Sequence, residues 1–198
     1  AEMGFDTSRV WYHGTSYDIE SFAPEAHEQA IAEFAAHAWA KGGFYFTASP
    51  AVASNYADKS YWMRWYAARD TEAASLPYRM RQAIAPRSKR SLPEPQIAGG
   101  PNIVPVYIRH GRQAVVDARG QDIVLRDGTK AQRRGPNTDD LAKRVAALRE
   151  SGEYDSVLIR GPEDQTPIGT DASGFPAFAD ELVVFDPSNI RSVNAAFD

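Results

Sequence analysis

The residues of this chain that could do chemistry stand in three short motifs that are far apart in the sequence. The motifs are Tyr12-His13-Gly14-Thr15, then Gly43-Phe44-Tyr45-Phe46-Thr47 with Asn55-Tyr56-Ala57 after it, and finally Glu181-Leu182-Val183-Val184-Phe185. As residue types, an imidazole forms hydrogen bonds with hydroxyl groups, phenol rings stack on flat ligands, and a partly dry carboxylate stabilises positive charge. Whether these groups meet in one site depends on the elements that carry them.

The order and spacing of the motifs carry more information than any one of them, because His-Gly-Thr alone is a common tripeptide. The histidine precedes a G-x-Y-F-T pattern, and Tyr56 follows Tyr45 by eleven positions. A strand-like segment that begins with Glu181 is then followed by Asp186-Pro187-Ser188. Chance rarely produces such an ordered set, so the motifs are interpreted together.

The first two motifs are predicted to lie on strands, with a helix after the second. Arg9 to His13 is rich in β-branched and aromatic residues and stops at Gly14, which is typical of a short strand. Phe44 to Thr47 is the next strand candidate. Pro50, at a first-turn position, predicts a helix that runs toward Ala57.

Apolar spacing predicts further helices, and composition predicts two long loops. From Pro24 to Gly42 the apolar residues recur at i, i+3, i+4, i+7 and i+8, the pattern of an amphipathic helix. Residues 59 to 84 carry an aromatic face and are interpreted as one or two helices. Prolines and glycines from 85 to 101 predict an exposed loop, and residues 161 to 178 form a second one.

Strand patterns dominate the later part of the chain. The predicted strands are Ile103 to Arg109, Ala114 to Asp117, Ile123 to Arg126, Tyr154 to Ile159 and Asp180 to Phe185. Asp127-Gly128 is a hairpin-turn signal. Thr138 is a candidate cap for a helix that Gly152 ends. Strands clustered late, with helices on the flanks, predict an α+β fold.

The composition fits one folded domain and excludes several classes of function. The chain has 198 residues, a net charge of −4 and 43% apolar residues, enough to bury a core. Its mildly acidic balance argues against a general nucleic-acid binder. The absence of cysteine excludes disulfides, thiolate zinc sites and a cysteine nucleophile. The start has no signal-peptide character, and its opening alanine indicates a segment cut from a longer chain or a lost tag.

Taken together, the motifs resemble those of the His-Tyr-Glu class of ADP-ribosyltransferases, which contains the poly(ADP-ribose) polymerases and the diphtheria-toxin-like enzymes. Within that class the chain is most similar to the ADP-ribosyltransferase domains of polyvalent proteins of phages and conjugative elements, including its closing stretch from Phe185 to Phe197. The resemblance implies a single domain over residues 1 to 198, with loop insertions around 85–101 and 161–178. It implies an α+β fold, a split β-sandwich of two antiparallel sheets with flanking helices.

The resemblance also implies that NAD is the substrate and that no metal takes part. Glu181 would stabilise the positive charge that develops on the ribose as nicotinamide leaves. His13 would form hydrogen bonds with the hydroxyls of the adenosine-side ribose. Gly14, which has no side chain, would let the nicotinamide carboxamide reach the backbone, and Thr15 would support the turn.

Aromatic residues of the second motif complete the implied site. Tyr45 and Tyr56 would hold the nicotinamide ring between them, and each stacking pair adds about 0.5 to 1.5 kcal/mol beyond area burial. Phe46 belongs to the same implied NAD-binding set. The implied catalytic set is Glu181, His13 and Tyr45.

One position departs from the family pattern. Poly(ADP-ribose) polymerases place a serine three residues before the second tyrosine, where its hydroxyl helps to hold the carboxamide. Here that position is Ala53. Either Ser54 or Ser49 substitutes for it, or the contact is missing.

Each site residue also has a structural alternative. Taken alone, His13 would be interpreted as a structural histidine, the tyrosines as core packing, and Glu181 as a solvated charge at a strand start. Asp180 is expected to be structural, because neighbouring residues of a strand point to opposite faces. The remaining histidines do not stand with other residues in a metal-ligand pattern and are expected to be surface or packing residues: His27, His37 and His110.

The acceptor is expected to be a protein or a nucleic acid. The loop from 161 to 178, through Phe175 and Phe178, is expected to contact it. Arginine-modifying ADP-ribosyltransferases outside the His-Tyr-Glu class carry a second glutamate two residues before the catalytic one. In this chain that position is Ala179, which disfavours an arginine acceptor. The basic groups Arg87-Lys89-Arg90 and Lys130-Arg133-Arg134 are candidates for contact with a nucleic acid or an acidic protein, but each is expected to be a solvated loop.

The implied activity is mono-ADP-ribosylation by a toxin or effector domain. Such a domain would be secreted or delivered, would act in the cytoplasm of a target cell, and would have no membrane partner. An immunity protein is a further expected partner. The alternatives are a NAD glycohydrolase, an RNA-modifying ADP-ribosyltransferase and a non-catalytic NAD-binding module.

Overall fold

A computed structural model describes residues 3–19, 21–22, 43–75, 99–119, 121–124, 130–134, 138–162, 167–170 and 176–194. The predicted helix from Pro24 to Gly42, the residues 85 to 98 of the predicted loop, and Phe175 lie outside these residues. So do two of the histidines with no assigned role, His27 and His37.

Eleven strands are described. They are β1 (Asp6–Thr15), β2 (Phe44–Thr47), β3 (Asn102–Ile108), β4 (Gln113–Asp117), β5 (Gln121–Val124), β6 (Lys130–Arg134), β7 (Ser156–Arg160), β8 (Gly169–Thr170), β9 (Pro176–Ala177), β10 (Glu181–Val184) and β11 (Ile190–Ser192). Seven of them form one sheet in the order β11-β3-β1-β2-β10-β7-β4. The motif strands β1, β2 and β10 are therefore neighbours at its centre.

The mixed architecture of strands and helices agrees with the α+β prediction, but the two antiparallel sheets of a split sandwich are not what the described residues form. They form a single seven-stranded sheet, in which β4 and β7 run parallel, and two separate two-stranded sheets. The pairing between the central strands β1 and β2 is nevertheless short. Within the described residues, β1 and β2 pair at Tyr12 and Thr47 alone, whereas β1 and β3 pair at six positions.

Two helices, α1 (Pro50–Ser75) and α2 (Thr138–Glu150), are described. Helix α1 begins where Pro50 predicts, and Ser49 accepts a hydrogen bond from the backbone N–H of Val52, as an N-cap residue does. It runs on through residues that were expected to start a separate helix. No glycine or proline lies between positions 51 and 75 to end it.

The basic segment at 130–134 differs from its prediction. It forms strand β6, which pairs antiparallel with β5 from Gln121 opposite Arg134 to Val124 opposite Lys130. The prediction of a loop at 130–134 is therefore wrong. The antiparallel pairing agrees with the hairpin that Asp127-Gly128 predicts, although the turn itself lies outside the described residues.

The two faces of the large sheet carry separate clusters of buried side chains. The first cluster contains Trp11, Phe44, Phe46, Val106, Ile108, Leu182 and Val184. The second contains Ala114, Ala118, Leu141, Val145, Val157, Ile159 and Val183, and Tyr45 packs against it. Helix α2 supplies Leu141 and Val145, so it covers the face of the second cluster.

Strand β10 is anchored on both faces, because alternate residues of a strand point to opposite sides. Leu182 and Val184 enter the first cluster and Val183 enters the second. Each fully buried aliphatic side chain contributes roughly 1.5 to 3 kcal/mol relative to exposure. Glu181 lies two positions before Val183 and therefore begins the strand on the face of the second cluster.

Candidate active site

Strand β2 brings Tyr45 and Glu181 to the same face of the sheet. It pairs with β10 so that Tyr45 is opposite Val183 and Thr47 is opposite Glu181. Directly opposed residues point to the same side of a sheet. The two side chains that the sequence places 136 positions apart therefore share one face and neighbouring strands.

Glu181 is a buried carboxylate with a specific donor. Only 4% of the residue is exposed. The phenol O–H of Tyr56, on α1, donates a hydrogen bond of 2.9 Å to its Oε1 atom. This hydrogen bond offsets part of the cost of burying the carboxylate. The structural alternative of a solvated edge charge does not describe this glutamate.

His13 is fixed across the junction between β1 and β2. Its Nδ1 atom lies 2.8 Å from the backbone oxygen of Tyr45. A carbonyl oxygen can only accept, so Nδ1 carries the hydrogen and Nε2 is the nitrogen whose protonation can vary. The ring packs edge-on against Phe22 at 5.5 Å and tilted against Phe46 at 5.6 Å between centroids.

Gly14 is the point at which α1 crosses β1. A methyl group on its Cα would overlap the carbonyl oxygen of Ala53 and lie 2.9 Å from the carbonyl carbon and 3.0 Å from the backbone nitrogen of Ala57. Tyr56 lies in the same turn of α1. The missing side chain at position 14 thus sets the distance between the sheet and the helix that carries Tyr56. Its expected contact with nicotinamide stays a prediction.

The chain after Gly14 is held by hydrogen bonds and by one cation–π contact. Thr15, which is buried, accepts a hydrogen bond of 3.1 Å from the backbone N–H of Tyr17 through its Oγ1 atom, and so supports the turn. The hydroxyls of Ser16 and Ser60 lie 2.9 Å apart. Arg64 donates to the backbone oxygen of Ser16 at 2.6 Å and stacks over the ring of Tyr17.

The anchoring residues Ser60 and Arg64 lie outside the three sequence motifs. A signal for them exists, because Tyr56, Ser60 and Arg64 recur every four residues and therefore lie on one side of α1. The aromatic residues between them concealed that polar row. The row runs from the buried glutamate to the end of the His-Gly-Thr motif.

Phe46 lies on the opposite face of β2 from Tyr45. It is 2% exposed and belongs to the first cluster. Its described contact toward the site is with the ring of His13, which it helps to hold. A direct contact with a ligand, as the resemblance implies for Phe46, remains a prediction.

The position that departs from the family pattern is fully buried. Ala53 has no exposed surface and faces β1. Of its two candidate substitutes, Ser49 caps α1, and Ser54 is half-buried on that helix.

The loop that precedes Glu181 is attached to the sheet at its start. Asp180 accepts a hydrogen bond from the backbone N–H of Gly161 at 3.2 Å, which agrees with its expected structural role.

Near Gly161, the hydrogen bonds of Arg119 lower the pKa of Asp117 to about 2. Both of these charged side chains are about half exposed, so the pair contributes little to stability.

The described residues contain no group of three or more His, Asp or Glu side chains arranged to hold a metal ion. No described helix has the length and apolar character to span a membrane.

Comparisons with known proteins give one match. No curated protein and no solved structure matches the chain. A family model described as ADP-ribosyltransferase in polyvalent proteins matches residues 7–196, a range that includes all the implied site residues from His13 to Glu181. The resemblance inferred from the three motifs is thereby confirmed, and the chain belongs to the family of ADP-ribosyltransferase domains found in polyvalent proteins.

Proposed function

We propose that this domain is a mono-ADP-ribosyltransferase that cleaves the nicotinamide–ribose bond of NAD and transfers ADP-ribose to a macromolecular acceptor. The observation that carries the proposal is the buried Glu181 carboxylate, which the Tyr56 phenol holds on the face of the sheet that also bears Tyr45. A buried, hydrogen-bonded carboxylate beside aromatic rings suits a reaction in which a flat neutral group leaves and positive charge develops next to it.

In the proposed reaction the bond between the ribose carbon and the nicotinamide nitrogen breaks, and its electron pair leaves with nicotinamide. The ribose becomes oxocarbenium-like, and the preorganised carboxylate of Glu181 stabilises that charge through a ribose hydroxyl. The acceptor nucleophile then forms a bond to the same carbon. Its proton passes to Glu181, which acts as the general base.

His13 is proposed to bind the ribose on the adenosine side. Its bond to the Tyr45 carbonyl fixes the ring, and the nitrogen at the other position of the ring, Nε2, is proposed to contact the ribose hydroxyls. Gly14 is proposed to present its backbone to the carboxamide, while Tyr45 and Tyr56 hold the nicotinamide ring between them.

Two substitutions of His13 distinguish the roles of its two ring nitrogens. Asparagine places an amide near the Nδ1 position and keeps a donor for the Tyr45 carbonyl, whereas glutamine places one near the Nε2 position. We expect His13→Asn to raise the KM for NAD by about 5- to 10-fold, the value of one hydrogen bond, with unchanged stability. We expect His13→Gln to lower the free energy of unfolding by about 1 kcal/mol with a smaller rise in KM. Equal effects of both variants on KM and on urea unfolding would contradict these separate roles.

The biological setting is proposed from the family. We propose that the domain acts as an effector or toxin module after delivery into a target cell, that its acceptor is a protein of that cell, and that an immunity protein protects the producer. Ala179, which is buried two residues before Glu181, supports an acceptor other than arginine.

Incubating a cell lysate with the domain and NAD labelled in its adenosine half tests the proposal. Label on protein that depends on Glu181 is the expected result. Release of free ADP-ribose alone would indicate a NAD glycohydrolase, and label on RNA would indicate an RNA-modifying enzyme. Binding of NAD without nicotinamide release would indicate a non-catalytic module and would overturn the proposed activity.

A further inference from the structure

We propose that Tyr56 is a positioning residue for Glu181, with its hydroxyl aiming the carboxylate at the ribose, in addition to any stacking by its ring. This inference rests on the proposed function. The two residues are 125 positions apart in sequence and are joined by a hydrogen bond of 2.9 Å between the phenol O–H and Oε1.

The carboxylate needs such a partner because of where it lies. Glu181 opens a strand whose four residues are all buried, and it points to the face covered by helices. A glutamate side chain has several rotatable bonds, and burial alone does not select one rotamer. A hydrogen bond to one of its two oxygens does fix that oxygen, and thereby fixes where the second oxygen points.

The donor is itself held rigidly. Tyr56 lies between Ala53 and Ala57, the two residues of α1 whose backbone lies against Gly14. One and two turns further along, Ser60 and Arg64 bind Ser16. Helix α1 therefore cannot shift or rotate against β1 without breaking these contacts. The distance from the Tyr56 hydroxyl to strand β10 is set by the same packing that positions the His-Gly-Thr motif.

The hydroxyl and the ring of Tyr56 are separable by mutation. Tyr56→Phe removes the donor and keeps the aromatic face. If the hydroxyl positions Glu181, this variant is expected to lower kcat for nicotinamide release by about 10- to 100-fold, the usual effect of losing a supporting contact behind a reacting group. The KM for NAD is expected to change by less than about twofold, because the aromatic ring at position 56 still stacks on nicotinamide and binds the ground state and the transition state alike. Tyr154→Phe, which deletes a hydroxyl outside the site, is the matched control.

A double-mutant cycle tests whether Tyr56 acts through Glu181. In a Glu181→Gln background, adding Tyr56→Phe is expected to cause no further loss of kcat, because residues that act as a unit are not additive. A further loss of 10-fold or more in that background would show that the phenol acts on the substrate directly and would overturn the proposal. An unchanged kcat for Tyr56→Phe alone would overturn it as well, while leaving the proposed activity intact. A wild-type domain that releases no nicotinamide would overturn both.

Folding is measured in the same set of variants. If Tyr56→Phe alone fails to fold, the double variant with Glu181→Gln is expected to fold, because it no longer buries a charge that has lost its donor. A double variant that also fails to fold would contradict a specific bond between these two side chains.

Discussion

Glu181→Gln is expected to lower the rate of nicotinamide release from NAD by about 10²- to 10³-fold, the usual cost of removing one group that stabilises charge in a transition state. Glutamine has nearly the shape of glutamate, and its amide oxygen still accepts from the Tyr56 hydroxyl. What it lacks is the negative charge. We therefore expect kcat to fall while binding of NAD, measured by titration calorimetry, changes little.

A neutralising substitution elsewhere provides the control for this prediction. Glu153 is exposed in the turn after α2, and Glu153→Gln changes the net charge of the domain by the same amount. It is expected to leave both kcat and KM unchanged. Comparable rates for wild type and Glu181→Gln would mean that the buried carboxylate has no part in bond breaking.

Gly14→Ala is expected to be the most damaging small substitution. Its methyl group would overlap the backbone of Ala53, and a helix backbone cannot move aside as a flexible side chain does. Overpacking of a tight contact costs about 1 to 3 kcal/mol, and we expect a loss at the upper end of that range together with loss of activity. Urea unfolding and nicotinamide release measure the two effects.

Gly100→Ala is the matched control, because a methyl group at Gly100 would meet nothing within 4 Å. The comparison also separates two roles of Gly14. Alanine keeps the backbone N–H and C=O, so a variant with normal stability that fails to bind NAD would mean that the glycine serves the ligand. A variant that loses stability confirms that the glycine positions α1.

The strands that carry the site could be predicted from sequence because their signals are local. Alternating or continuous apolar residues between turn residues define β2 and β10, and Pro50 marks the start of α1. Which strands become neighbours is not local. The central position of β2, between β1 and β10, follows from packing on both faces, and the motif order alone does not specify it.

Two of the differences between the predicted and the described fold have physical reasons. The single seven-stranded sheet depends on the junction between β1 and β2, where the one pair at Tyr12 and Thr47 is enough to make the sheet continuous. Strand β6 was missed because Lys130 to Arg134 has no apolar alternation, and its order comes from pairing with β5.

The site residues were recognised from their motifs, but their mutual contacts were not. Nothing in the sequence links the hydroxyl of Tyr56 to Glu181, because the bond depends on how closely α1 approaches the sheet at Gly14. The bond from His13 to the Tyr45 carbonyl likewise depends on how β1 and β2 lie relative to each other beyond their one described pair. Such contacts depend on tertiary distances that a single sequence does not contain.

The most direct measurement is a crystal structure of the domain with a non-hydrolysable carba analogue of NAD. The account predicts that a Glu181 carboxylate oxygen lies within about 3 Å of a hydroxyl on the nicotinamide-side sugar, with the nicotinamide ring between Tyr45 and Tyr56. An analogue bound away from Glu181, or bound with its adenine between the two tyrosines, would contradict it.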